Sequence, residues 1–246
     1  MNIESLITFG YYVSSLGFVA AAVLMYSAVG KFGASSSLGA VFYHFFIGTA
    51  IFFVITVFQK LGGEFFGIGA ESVDVWWHIM FYLAFFFYFR GLKLLVSLGG
   101  LEGQDGQTIQ AGSEKTLGIL AFAALVVIFI IPRFVDGAVV AYDSSPLGQL
   151  GLHHFLAFIF AAVVGSYLMS AKKNLGMIGK AIANPMVIAL WAFAAQHFWE
   201  LLFESWNVVV VTSEVGEGIE RIFLLIAAVG IGYAAWRLHS FARPST

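Results

Sequence analysis

Seven runs of about twenty mostly apolar residues occupy nearly the whole of this chain, and no other feature restricts its fold as strongly. They fall near 8–29, 36–59, 75–98, 117–140, 151–171, 186–211 and 218–241. At 1.5 Å of rise per residue, a helix of that length matches the ~30 Å hydrocarbon core of a bilayer. Hydrophobic residues make up 60% of the chain and charged residues only 11%, so too little polar sequence remains for a soluble module of any size. The expected fold is an all-α integral membrane protein, a single seven-helix domain over 1–246. The lipid bilayer is its first partner. Other membrane subunits or a second copy are compatible with this composition, and nothing in the chain points to nucleic acid.

Charge gives the orientation. If the helices alternate, the side holding the amino terminus collects Lys60, Arg133 and Arg221. The other side collects Lys31, Arg90, Lys93, Lys115, Lys172, Lys173, Lys180, Arg237 and Arg243. By the positive-inside rule the amino terminus is outside and the carboxyl terminus cytoplasmic, in a cell (inner or plasma) membrane. The acidic residues fall the opposite way, with Glu64, Glu71, Asp74, Glu214, Glu217 and Glu220 among those near the outer face. The first apolar run lacks a basic flank and a small-residue cleavage site, and reads as a retained helix. With no cysteine the chain has neither disulfides nor thiolate metal sites.

Seven helices in this orientation accommodate a 3+1+3 repeat, with helices 1–3 and 5–7 running alike. "SAVGKFG" at 27–33 against "SAKKNLG" at 170–176, and "YHFF" at 43–46 against "QHFW" at 196–199, are the matches that suggest it. Such a duplication would make His44 and His197 equivalent and face them across the bundle.

The segment "WAFAAQHFWELLFESWNVVVV" carries His197, Glu200 and Glu204 at positions i, i+3 and i+7, one helical face. An ionised side chain inside a membrane helix costs roughly 2.5–3.5 kcal/mol on insertion scales, so this stripe is expected to face protein or water. His78, His154 and Glu220 fall at similar depth near the outer end of their helices. Three readings stay open. A transition-metal ion suits imidazoles and carboxylates, with His197, Glu200, Glu204, His78, His154 and Glu220 as candidate ligands. A b-type haem needs paired imidazoles, and depth offers His44 with His197 and His78 with His154. Alternatively, the carboxylates pair with Arg133, Arg221 or a histidine and only lock helices together. His153 and His239 read as solvated, and most of the 27 phenylalanines as bilayer-facing surface.

The corresponding functions are a metal- or haem-binding redox protein or subunit of a membrane complex, a cation- or proton-coupled transporter or seven-helix sensor, and a structural membrane subunit. Helix 7 has no lysine, which excludes the retinal Schiff base of an opsin. No nucleotide-binding or hydrolase signature is visible.

Overall fold

The computed structural model describes residues 3–33, 36–66, 70–99, 142, 145–175 and 177–241. The described residues form helices and no strands. In chain order these are α1 (Ile3–Phe32), α2 (Ser37–Phe66), α3 (Ala70–Gly99), the single turn α4 (Pro146–Gln149), α5 (Leu152–Ala171), α6 (Met177–Glu200) and α7 (Ser213–Phe241). A 3-10 turn follows α5, and a π-helical turn, Leu201–Ser205, continues α6. Six of these helices are long and apolar enough to cross a bilayer, which makes the chain a helical multi-pass membrane protein. The fourth expected span, 117–140, and with it Lys115, Pro132, Arg133 and Asp136, lies outside the described residues.

The long helices close into a ring in which α1, α2, α3, α5, α6 and α7 each pack on the next, and α7 returns to α1. Named contacts fix their directions. Phe18 meets Phe52 while Phe32 meets Phe42, and Phe52 meets Phe81 while Phe45 meets Tyr88, so α2 is antiparallel to α1 and α3. Phe158 meets Phe198, and Gly230 lies against Pro185, so α6 is antiparallel to α5 and α7. Phe85 with Phe160 and Phe89 with Tyr167 set α3 and α5 parallel. Gly10 with Arg221 and Gly17 with Ala228 do the same for α1 and α7. Consequently α1, α3, α5 and α7 all begin at one end of the bundle.

The ring's centre is filled by aromatic side chains, so a minority of the phenylalanines serve as core while the other described ones are half-buried or exposed. Phe18, Phe42, Phe45, Phe52, Phe81, Phe85 and Phe193 are fully buried. Phe52 and Phe193 stack at 4.5 Å, and Phe81 stands edge-on to Phe193 at 5.4 Å, joining α2, α3 and α6. Trp76 and Trp77 are also buried, whereas Trp206 and Trp236 are exposed.

The sixth helix differs most from its expected limits, 186–211. It starts nine residues earlier, at Met177, and runs through Lys180, Asn184 and Pro185. It yields to a π turn after Glu200, marked by the Trp206 N–H donating to the Leu201 carbonyl at 2.8 Å. Asn207 then adopts φ 50°, and Val208 to Val211 follow outside any helix. β-branched side chains lose rotamer freedom in a helix, and asparagine tolerates the left-handed region, so the chain leaves the helix here although it is still apolar. His197 therefore stands near the end of α6.

Close helix contacts depend on small residues. A β-carbon on Gly230 would lie 2.8 Å from the Pro185 carbonyl oxygen and 3.0 Å from Ala189 Cβ, whereas one on Gly232 would meet nothing within 4 Å. Gly230→Ala is therefore expected to lower stability by ~1–3 kcal/mol through overpacking. Gly232→Ala should be neutral or raise it by up to ~1 kcal/mol through helix propensity. Thermal unfolding in detergent measures both.

Candidate metal centre

Three helices deliver the site at the end where α1, α3, α5 and α7 begin. α3 contributes His78 just below Trp77. α5 opens with Gly151 in the left-handed region (φ 67°), where a β-carbon would overlap Ser205 of the π turn, and brings His153 and His154 in its first turn. α6 supplies Gln196, His197 and Glu200 from one face of its last turns.

All three imidazoles converge on a single oxygen. Glu200 Oε2 lies 2.6 Å from His197 Nδ1, 3.0 Å from His154 Nδ1 and 3.8 Å from His78 Nε2. The other carboxylate oxygen, Oε1, accepts from Gln196 Nε2 at 3.0 Å. His78, His154, His197 and Glu200 are all buried, and one potential ligand atom from each lies within 4.8 Å of those of the others. Four groups of this type, three neutral nitrogens and one carboxylate, could hold a metal ion. Apolar and aromatic rings wall the site. Phe81 stands edge-on to His197 at 4.3 Å and Trp77 at 5.3 Å.

Not every residue picked from the sequence joins this group. Glu204 is exposed on the π turn and reaches only its rim, with Oε2 3.5 Å from His154 Nε2. Glu220 lies on α7 beside Arg221, 3.9 Å away, and that guanidinium stacks over the Tyr11 ring at 3.7 Å, tying α1 to α7. Arg221 thus pairs with its own neighbour and with Tyr11, while histidines surround Glu200. His44 does not face His197. It packs beside Gly91 and Phe87 on α3 and has its Nδ1 2.7 Å from the Ala40 carbonyl oxygen, whereas His197 packs on Phe81. From Phe81 to Gly91 is about ten residues, or ~15 Å along the helix. His44 lies one to two turns into α2 and His197 close to the end of α6, so the two are not equivalents in a repeat.

Two participants escaped the sequence. His153, read as solvated, is buried. Its ring lies 4.7 Å from that of His78, its Nδ1 3.2 Å from the Tyr142 hydroxyl, and its carbonyl accepts from Tyr82 at 2.6 Å. Gln196 carried a usable signal, since it precedes Glu200 by four residues and shares its face.

No protein-family model matches this chain, and neither a curated protein nor a solved structure matches it. Fold and site together define its class: a helical, multi-pass membrane protein with a buried His/Glu group that could bind a metal ion.

Proposed function

We propose that this chain binds one resident transition-metal ion through His78, His154, His197 and Glu200, and serves as a redox protein or subunit of the cell membrane. The observation that carries the reading is the convergence on Glu200 Oε2 of three imidazole nitrogens, at 2.6, 3.0 and 3.8 Å. The His197 and His154 nitrogens are at hydrogen-bond distance and match the oxygen's two lone pairs, while His78 Nε2, at 3.8 Å, lies just beyond that reach. An ion among the four groups would draw a lone pair from each of the three nitrogens, the more distant His78 included, and one from the carboxylate.

Four buried protein ligands close a tetrahedral shell, as in sites that retain their ion, and this favours a resident ion over a transported one. The imidazole-rich, thiolate-free set suits zinc, iron or copper, and redox work falls to the last two. A single ion is also favoured over b-type haem. The His78 ring lies 4.6 Å from that of His154 at 81° and 5.1 Å from that of His197 at 52°, with no slot between parallel faces for a macrocycle. Elemental analysis of protein purified without chelators tests the proposal. About one equivalent of iron, copper or zinc and no Soret band are expected, and a metal-free protein or a haem spectrum would oppose it.

The seven-helix count and the orientation belong to the same proposal. The seventh span is the apolar run 117–140 of the sequence, and α3 and α5 running parallel are in keeping with it. Two antiparallel triplets, α1–α3 and α5–α7, running alike and meeting at parallel junctions, are what a 3+1+3 duplication would produce. Exposed Lys172, Lys173 and Lys180 lie opposite exposed Glu214 and Glu217, which supports an outward-facing metal centre. In this cysteine-free chain, an impermeant thiol reagent applied to intact cells should label Glu214→Cys and spare Lys173→Cys. The reverse pattern would invert the topology.

A further inference from the structure

His154 spans from the buried carboxylate to the surface. Its Nδ1 lies 3.0 Å from Glu200 Oε2 and its Nε2 lies 3.5 Å from Glu204 Oε2, with the Glu204 side chain 41% exposed and that of His154 only 5%. We infer that Glu204 is the positioning residue of the metal centre: it holds the proton of His154 on Nε2 so that Nδ1 presents its lone pair to the ion. The inference rests on the metal-binding reading above.

A neutral imidazole carries one proton and one lone pair, and whichever nitrogen is hydrogen-bonded outward leaves the other to coordinate. The ligand nitrogen must be the one facing Glu200, which is Nδ1. The proton then sits on Nε2, the nitrogen 3.5 Å from Glu204 Oε2. A carboxylate behind a metal-bound histidine is a recurrent arrangement that fixes ring orientation and raises ligand basicity, and its loss typically costs ~10–100-fold in affinity. The local fold also explains why Glu204 reaches this position. The π turn widens the helix immediately after Glu200 and packs Ser205 against Gly151, bringing the turn over the start of α5 where His154 lies. Carboxylates at both nitrogens of one imidazole also counter the charge that a divalent ion adds to three neutral ligands.

The test compares parent, Glu204→Leu and Glu204→Gln proteins, each full-length in detergent, by competing Zn²⁺ against a chromophoric chelator. Melting of the metal-free proteins is recorded in parallel. Glu204→Leu is expected to bind one Zn²⁺ about 10–100-fold more weakly than the parent, with unchanged stoichiometry and metal-free melting. Glu204→Gln, whose amide oxygen still accepts from Nε2–H, should recover at least part of that loss. Parent-like affinity in Glu204→Leu would overturn the positioning role and leave the site standing. So would a loss matched by an equal fall in metal-free stability and unrelieved by glutamine. A parent that takes up no Zn²⁺ would overturn the site itself, and this inference with it.

Discussion

A Glu200→Gln protein is expected to fold and to retain no metal ion. Glutamine keeps the shape of the side chain and one carbonyl oxygen, so the hydrogen bonds from Gln196 and the two nearest imidazoles can be rebuilt by an amide flip and a histidine tautomer change. It removes the one negative charge among the four ligands, and an uncharged amide is a poor ligand beside three neutral imidazoles. Glu200→Leu should behave differently. It strands the donors of Gln196, His154 and His197 in a buried site, at about 1–3 kcal/mol each. Metal analysis and thermal unfolding of the two proteins separate the roles. Full metal content in Glu200→Gln would remove the carboxylate from the ligand set, and a Glu200→Leu protein more stable than the parent would mark the carboxylate as a burden on the fold.

His197→Ala is expected to reduce metal affinity well beyond the ~10–100-fold typical of an outer partner, because it removes a ligand outright. His197 is fully buried and makes the shortest contact to Glu200, at 2.6 Å. Packed against Phe81 and Trp77, it has little freedom to be replaced by a neighbouring ring. His239→Ala serves as the comparison. His239 lies at the opposite end of α7, 3.1 Å from Lys31 Nζ, and its loss should leave metal binding unchanged. Equal Zn²⁺ affinity in both variants and the parent would reduce the cluster to a helix-packing network.

How much of this was legible in the sequence follows from which interactions are local. Membrane helices announce themselves because each must satisfy its own backbone and bury an apolar length, so six spans were readable. The limits of α6 were not. Val208–Val211 is apolar enough to resemble a span, and Lys180, Asn184 and Pro185 resemble a loop, yet contacts across to α7 at Gly230 place the helix over the second set. Within the site, the His197–Glu200 spacing is a property of one helix and could be read directly. That His78 and His154 join it was suggested by depth alone. That His44 does not, and that His153 is buried against α3, depends on how helices are paired, which a single sequence does not encode locally. Gln196 was overlooked because an amide is not a conspicuous ligand, although its spacing from Glu200 was available.

X-ray absorption at the zinc edge, recorded on protein carrying one equivalent of Zn²⁺, addresses the central claim most directly. The expected spectrum shows four nitrogen or oxygen neighbours at ~2.0–2.1 Å, with the outer-shell scattering of three imidazoles and no sulfur, in keeping with a chain that has no cysteine. A shell of six oxygens without imidazole scattering, or zinc that washes away before measurement, would contradict a centre built from His78, His154, His197 and Glu200.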